Sequence, residues 1–166
     1  MKLEFTQATT NDADIIGSLV VLLTQEICAR TQTQHFNIDP KDTAQKCAEL
    51  LSAGHYAAII GWSNNMPIAV STITETYALY AGGKIGVIQE FYVMPEFRSS
   101  GIGAMLIARV KSYGKAQGWS CMELCTPPLP EFERTLNFYQ NNGLTPVGGR
   151  KMRQNLAIYH QENTVF

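Results

Sequence analysis

The residues best suited to chemistry lie together in residues 87–106, where a β-rich apolar run gives way to a glycine-containing helix start. Pro95 ends the run, Arg98 follows it, and Gly101 and Gly103 open the next segment. Glycines let the backbone approach a ligand closely, and the first N–H groups of a helix carry partial positive charge without internal partners. A cation such as Arg98 opposes that charge unless an anion lies between them. The segment therefore predicts an anion site, with a phosphate or pyrophosphate as its simplest occupant.

Two motifs in this chain resemble those of a known family. Residues 93–103, with the pattern Val-x-Pro-x-x-Arg-x-x-Gly-x-Gly, resemble the acetyl-coenzyme A signature of the GCN5-related N-acetyltransferases. Residues 134–144 resemble the last core helix of that family, with an aromatic residue before Tyr139 and a glycine four residues after it. The family resemblance implies an acyl-coenzyme A N-acyltransferase fold and makes acetyl-coenzyme A the expected co-substrate.

The resemblance also implies which residues hold this co-substrate. The pyrophosphate is expected over the backbone N–H groups of residues 99–104, supplemented by Arg98 and a serine hydroxyl. The pantetheine arm is expected to pair like an extra strand with the backbone of Phe91 and Val93, while an N–H near Tyr92 or Val93 polarises the acetyl oxygen. The implied binding residues are Phe91, Tyr92, Val93, Arg98, Ser99, Ser100, Gly101, Ile102, Gly103 and Ala104.

Tyr139 is the residue that the resemblance implies as hydrogen-bond or proton donor to the coenzyme A sulfur. Without the motif, a tyrosine on an amphipathic helix is usually a core residue with a satisfied hydroxyl. A role limited to positioning the thiol is a further alternative. Tyr139 is therefore the candidate catalytic acid.

Glu90 is the candidate catalytic base because it lies one residue before Phe91, close to the expected position of the thioester. A carboxylate there can accept the amine proton directly or through water, which typically contributes about 10²–10⁴-fold to a rate. Strand alternation predicts that Glu90 shares a face with Ile88 and Tyr92, opposite Phe91. An exposed or salt-bridged strand glutamate is the alternative, with the amine proton lost to solvent.

One position departs from the family pattern. The family often carries an asparagine seven residues before the helix tyrosine, where it holds the pantetheine, and this chain has Phe132 there. Asn137 is a substitute only if it faces the site, and its place on the helix favours another direction. Arg134 matches a basic residue of the family.

Composition bounds the remaining possibilities. The chain has 166 residues, 45% of them apolar, and a net charge of −1, which is typical of one globular domain over residues 1–166. The near-neutral charge makes neither nucleic acid nor an anionic membrane an expected partner. No apolar run reaches the roughly 20 residues of a membrane span, and the N-terminus lacks the apolar core of a secretory signal, so we expect a cytoplasmic protein.

The cysteines and histidines give no metal motif. Cys121 and Cys125 lack the usual zinc spacing. Residues four apart share a side of a strand, so we expect these two to be small buried hydrophobes and expect no metal. The histidines are expected at the surface, and they are His35, His55 and His160.

Hydrophobic periodicity and turn residues predict the element order β-α-α-β-β-β-α-β-α-β-β. The predicted helices run from a cap at residues 10–12 to about residue 30, then over 39–53, 101–118 and 131–142. The predicted strands cover residues 3–8, 56–62, 68–77, 85–93 and 119–126, with two short β runs within 145–160. This order implies an α/β fold with a mixed, largely antiparallel sheet and helices on both faces.

The favoured function is N-acetyl transfer from acetyl-coenzyme A to a primary amine of a small molecule or peptide, by direct attack of the amine on the thioester. The acceptor is expected over the first two helices, the loop at residues 31–37 and the turns between strands, and a homodimer is common in the family. One alternative is a non-catalytic module that binds acyl-coenzyme A. Another is a dinucleotide oxidoreductase, with Glu123 as the ribose-binding acid. That alternative is disfavoured because Leu106 replaces the third glycine and because an antiparallel meander, instead of a βαβ unit, precedes the glycines.

Overall fold

From β1 to the last helix, the elements follow the predicted order. The computed structural model describes residues 1–33 and 38–156. They form β1 (Leu3–Gln7), α1 (Ala13–Thr31), α2 (Pro40–Ser52), β2 (Ala57–Ser63), β3 (Met66–Ala78), β4 (Gly83–Val93), α3 (Ile102–Gln117), β5 (Cys121–Leu124) and α4 (Glu133–Asn141). Local signals explain several boundaries: the Asp39 carboxylate, for example, accepts the Lys41 and Asp42 N–H groups at 3.0 and 3.1 Å and caps α2.

The strands form one sheet in the order β1-β2-β3-β4-β5. Neighbours from β1 to β4 are antiparallel, whereas β5 is parallel to β4 and pairs only with Ile85–Ile88. Beyond Ile88, β4 continues to Val93 with no strand of the described residues on its outer side. The sheet therefore opens into a gap along residues 89–93 of β4.

Helices cover both faces of this sheet, which confirms the predicted mixed α/β architecture. One face packs on α1 and α2 through the core residues Ala58, Ile60, Val70 and Tyr92. The other packs on α3 and α4 through Ile59, Ala69, Ile73 and Ile88. In the part of the chain that the structure describes, no helix has the length and apolar character needed to cross a membrane.

A β-bulge in β4 corrects the predicted position of Ile88 relative to Glu90. The register steps from Thr72 opposite Glu90 to Ile73 opposite Ile88, so Gln89 is an extra residue. A bulge of this kind interrupts strand alternation. Glu90 therefore shares a face with Tyr92, as predicted, but Ile88 lies on the opposite face, in the core under α3.

The parallel pair of β4 and β5 corrects a second expectation. Together with α3, these strands form a βαβ unit, so the absence of such a unit is not a valid argument against a dinucleotide site. The position of the third glycine remains occupied by Leu106, which is fully buried. The Glu123 carboxylate accepts a hydrogen bond from the Tyr80 hydroxyl at 3.0 Å.

The C-terminal part differs most from the prediction. Residues 145–156 contain no strand, and Gly148 and Gly149, both with φ of 84°, interrupt the extended backbone that the two β runs need. The remainder of the predicted runs, with His160, lies outside the described residues, as does His35, whereas His55 is exposed.

The two cysteines near β5 are exposed, which contradicts the prediction that they are buried. Cys125 lies beyond the last residue of β5, and Cys121 is the first, so the strand is too short to bury both. Cys28 is half-buried and Cys47 is buried. Among residues 1–33 and 38–156, no three metal-binding side chains are grouped.

Trp119 explains why β5 begins later than predicted. Its N–H bonds back to the Gly114 carbonyl at 2.9 Å, which closes α3 before the strand starts at Cys121. Its indole lies between Gly86 and Gly114, where a Cβ on either glycine would be 2.2 Å from the ring. The indole N–H donates to Glu75 at 3.0 Å. These two glycines are therefore required by the indole and not by backbone conformation.

We expect Gly114→Ala to lower the free energy of unfolding. Alanine favours a helix by about 1 kcal/mol, but a methyl group at 2.2 Å from the rigid indole must displace Trp119, and overpacking of this kind costs about 1–3 kcal/mol. Urea unfolding measures the change, with the exposed Ser112→Ala in the same helix as control. Equal stability of the two variants would contradict this packing.

Candidate functional site

The N-terminus of α3 is open to a ligand. Gly101 precedes the helix with φ of 84°, and no side chain caps it. The first bond within the helix runs from Met105 N–H to the Gly101 carbonyl at 3.1 Å. The N–H groups of Ile102, Gly103 and Ala104 therefore have no partner in the helix, which is the arrangement that binds anions.

The segment before α3 is held by its own hydrogen bonds. A 3-10 turn at Pro95–Phe97 begins it, and Ser99 adopts the left-handed conformation with φ of 63°. The Ser100 hydroxyl donates to the Phe97 carbonyl at 2.6 Å, and the Ser99 hydroxyl accepts from the Arg134 guanidinium of α4 at 2.7 Å. Arg134 therefore brings a positive charge beside the uncapped helix start.

Arg98 has a different partner from the one that the sequence suggested. Its guanidinium binds both carboxylate oxygens of Glu26 on α1, at 2.7 and 2.8 Å, and its Nε donates to the Val93 carbonyl at 2.8 Å. The anion that the sequence argument required beside Arg98 is thus a carboxylate of the protein. The hydrogen bond from Arg98 lowers the pKa of Glu26. No local pattern could reveal Glu26, because it lies 72 residues from Arg98.

The backbone of β4 presents its outward groups to the gap. The Met94 N–H donates to the Ile68 carbonyl at 2.8 Å, so Met94 and Tyr92 turn their backbone groups towards β3. By alternation, Phe91 and Val93 turn theirs towards the gap, as predicted for a strand-like ligand. Neither part of Tyr92 faces the gap. Its backbone groups are turned towards β3, and its side chain is buried in the core beneath α1.

Three aromatic rings line the α3 and α4 side of the gap. The Phe91 centroid lies 5.8 Å from the rings of both Phe138 and Tyr139. Tyr139 is buried, and this burial raises the pKa of its hydroxyl above the ordinary value. Among the described residues that hydroxyl has no hydrogen-bond partner. Tyr139 is therefore a protonated donor next to the residue whose backbone faces the gap.

Gly103 has a structural requirement that the sequence argument missed. A Cβ at this position would lie 3.0 Å from the Phe138 ring, so the glycine permits α4 to pack on the first turn of α3. Gly101, in contrast, has open space around it and a positive φ. Gly101 is thus required by the loop conformation, and Gly103 by the contact between helices.

Phe132 and its neighbours join the start of α4 to α1. The Phe132 ring is buried, with the Arg30 guanidinium 3.9 Å from its centroid. Arg30 also donates to the Glu131 carbonyl. Phe132 therefore serves as a packing residue where the family often has an asparagine, and Asn137 is exposed on α4.

Glu90 lies on the other side of β4 from Tyr139. Its carboxylate accepts a hydrogen bond from the Thr72 hydroxyl, whose oxygen in turn accepts the Glu90 N–H at 3.0 Å. Burial raises the pKa of Glu90 despite the bond from Thr72. Within the described residues Glu90 has no ion-pair partner, so it is neither the exposed nor the salt-bridged glutamate of the alternative. A buried carboxyl group with a raised pKa is a better proton acceptor, when ionised, than an ordinary glutamate.

Comparison with known proteins places this geometry in context. The sequence model of the acetyltransferase (GNAT) family matches residues 23–144. A comparison with curated proteins finds no match.

Solved structures share the fold at low identity. An aminoglycoside N-acetyltransferase, AAC(6')-Iy in complex with CoA, aligns with a TM-score of 0.76 and 18% identity, covering 94% of this chain and 96% of that chain. A ribosomal-protein-alanine N-acetyltransferase from Brucella melitensis biovar Abortus 2308 aligns with a TM-score of 0.70 and 16% identity, covering 93% and 100%. A GCN5-related N-acetyltransferase from Ralstonia eutropha JMP134 gives 0.72 and 16%, covering 92% and 99%.

We expect Glu90→Gln to change the pH dependence of stability. Because the folded pKa of Glu90 is raised above its ordinary value of 4.5, the folded protein binds the proton more tightly than the unfolded chain, and stability falls as pH rises through that raised pKa. Glutamine removes this loss, so the variant gains in melting temperature relative to wild type as pH increases from 4.5 towards neutrality.

Glu49→Gln, at an exposed residue, is a control for which the pH dependence of stability is expected to have the opposite sign. Its hydrogen bond with Lys46 lowers the pKa of Glu49, so wild type loses that small contribution as pH falls. Thermal unfolding from below pH 4.5 to neutrality compares both variants, because the Glu49 contribution is lost below its ordinary pKa of 4.5. A difference between Glu90→Gln and wild type that does not vary with pH would mean that the carboxyl group is not buried as described.

Proposed function

Because the chain belongs to the acetyltransferase (GNAT) family, we propose that it transfers an acetyl group from acetyl-coenzyme A to a primary amine of a small molecule or peptide. The observation that carries this proposal is the uncapped N-terminus of α3 beside the unpaired edge of β4. One feature suits a phosphate group and the other suits a chain containing amides. Coenzyme A contains both.

The residues present fit coenzyme A. The free N–H groups of Ile102, Gly103 and Ala104 suit its diphosphate, and Arg134 adds a positive charge held at Ser99. The outward backbone groups of β4 suit the two amides of the pantetheine arm. The CoA complex of the aminoglycoside N-acetyltransferase with the same fold supports this ligand class.

Tyr139 acts as the acid in the proposed reaction. Bound acetyl-coenzyme A supplies an acetyl group activated as a thioester. When the amine forms its bond to the acetyl carbon, the carbon–sulfur bond breaks and the sulfur needs a proton. A tyrosine hydroxyl is protonated at neutral pH, and burial raises the pKa of Tyr139 further, so the hydroxyl is available to hydrogen-bond or protonate the departing sulfur.

Glu90 acts as the base on the opposite side of β4. An ammonium group cannot attack until it loses a proton, and a carboxylate beside the gap can accept that proton directly or through water. Its raised pKa makes it a stronger base than an ordinary glutamate. The hydrogen bond from Thr72 fixes the direction of the carboxylate.

The identity of the amine depends on surfaces around α1 and α2. Residues 34–37, which are part of the expected acceptor loop, lie outside the described residues. The solved structures of similar fold include enzymes named for aminoglycosides and for a ribosomal protein alanine. A panel of aminoglycosides, polyamines, amino acids and short peptides with free N-termini therefore covers the proposed acceptor class.

We expect purified protein to release thiol from acetyl-coenzyme A in the presence of one class of this panel. A thiol reagent measures the release, and mass spectrometry must find a gain of one acetyl group on the amine. A protein that binds acetyl-coenzyme A yet gives no turnover with any class would instead support the non-catalytic binding module.

We expect Tyr139→Phe to lower kcat by about 10²-fold, a typical contribution of an acid catalyst, with little change in KM for acetyl-coenzyme A. The variant should remain close to wild type in stability, because no hydrogen bond between the Tyr139 hydroxyl and the described residues is lost. Tyr113→Phe, at a tyrosine on α3 near Trp119, is the matched control. An unchanged kcat in Tyr139→Phe would remove Tyr139 from the mechanism.

A further inference from the structure

The Arg98 guanidinium binds Glu26 on α1 and the Val93 carbonyl on β4, and this geometry points to a positioning role. We infer that Glu26 and Arg98 form one unit that fixes the pantetheine-binding edge of β4, and that Arg98 is not the ligand of the diphosphate. The inference rests on the proposed binding of coenzyme A. It assigns a role to Glu26, which lies outside both sequence motifs.

Most of the hydrogen-bond donors of the Arg98 guanidinium are already used within the protein. Three of the five N–H groups of Arg98 bind protein acceptors, two on Glu26 and one on Val93. The paired contact with Glu26 uses the forked end that would otherwise bind two phosphate oxygens. A phosphate at that fork would have to displace a carboxylate that is only 24% exposed.

The Val93 carbonyl lies at the edge of β4 where the pantetheine arm is proposed to bind. Alternation along β4 turns this carbonyl towards the gap, where an arriving ligand would otherwise use it. Arg98 already donates to it at 2.8 Å. The groups left for a ligand are the N–H and carbonyl of Phe91 and the N–H of Val93. Arg98 therefore ends the amide-binding track at Val93, where the ligand must turn towards α3.

The loop between β4 and α3, which is proposed to bind the phosphates, is held by hydrogen bonds that do not involve the Arg98 side chain. Ser100 closes the loop on the Phe97 carbonyl, Arg134 holds Ser99, and the Phe97 N–H donates to the Met94 carbonyl at 2.9 Å. These bonds remain when the guanidinium is removed. Loss of Arg98 should therefore affect the pantetheine edge and spare the anion site.

Glu26 connects this edge to α1. The ion pair is partly buried, with exposed side-chain fractions of 35% for Arg98 and 24% for Glu26, and the guanidinium lies 5.4 Å from the centroid of the Tyr92 ring. Tyr92 itself packs in the core beneath α1. The pair thus fixes the end of β4 against α1, which packs on the opposite face of the sheet from α3.

The test compares whole coenzyme A with its 3′-phosphorylated ADP half, which carries the diphosphate but no pantetheine. Calorimetry measures binding of both ligands to wild type, Arg98→Gln, Glu26→Gln and the double variant. We expect each single variant to bind coenzyme A about tenfold more weakly, the effect of about one charge-assisted hydrogen bond. Binding of the nucleotide half should change less than about twofold, within the error of one weak contact.

The double variant and a lysine variant sharpen the test. If the two residues act as one unit, the double variant should bind coenzyme A no more weakly than either single variant. Arg98→Lys keeps the charge but loses the fork, so it should resemble Arg98→Gln. Glu49→Gln, which disrupts the exposed pair with Lys46 on α2, is the matched control and should bind both ligands as wild type does.

Several outcomes would overturn the inference. Equal losses for both ligands, or nearly full affinity in Arg98→Lys, would make Arg98 a phosphate ligand. Additive losses in the double variant, or unchanged binding in Glu26→Gln, would show that the two residues are not a unit. A wild-type protein that binds neither ligand would overturn the proposed function itself, and this inference with it.

Discussion

The unpaired half of β4 is the constraint on which the rest of the site depends. Parallel pairing with β5 ends at Ile88, and the extra residue Gln89 then interrupts the strand. The backbone groups of Phe91 and Val93 face the gap beyond, where no strand of the described residues pairs with them. Among the described residues, only Arg98 reaches this edge, at the Val93 carbonyl. A ligand with amides of its own can satisfy the rest, which is why this edge is the proposed place for the chain-like pantetheine arm.

The elements that form the site could be predicted because their signals are local. Pro95 ends β4 and Gly101 starts α3 within a few residues of each other, and both act through their own backbone conformations. The Asp39 carboxylate caps α2 two and three residues ahead. The element order up to the last helix and the uncapped start of α3 follow from such short-range effects. The family resemblance carried by residues 93–103 and 134–144 then led to the prediction that this helix start binds coenzyme A.

The contacts that refine the site could not be predicted, because each joins distant parts of the chain. Glu26 meets Arg98 across 72 residues, and Gly103 is required by the Phe138 ring on a different helix. The bulge at Gln89 has no proline or glycine to mark it and appears only in the register between β3 and β4. Local sequence patterns therefore predict the uncapped start of α3 but not the carboxylate of Glu26 that binds Arg98.

The separation of Glu90 and Tyr139 by the sheet has a chemical consequence. If the two side chains were adjacent, the tyrosine hydroxyl would donate to the carboxylate and lower the pKa of Glu90, so neither would be free to exchange a proton. Alternation from Tyr92 places Glu90 on the face of α1 and α2, whereas Tyr139 contacts Phe91 from the face of α3 and α4. Each pKa is raised mainly by burial. The groups proposed as base and acid can thus lie beside the same strand edge without a hydrogen bond between them, because the sheet separates them.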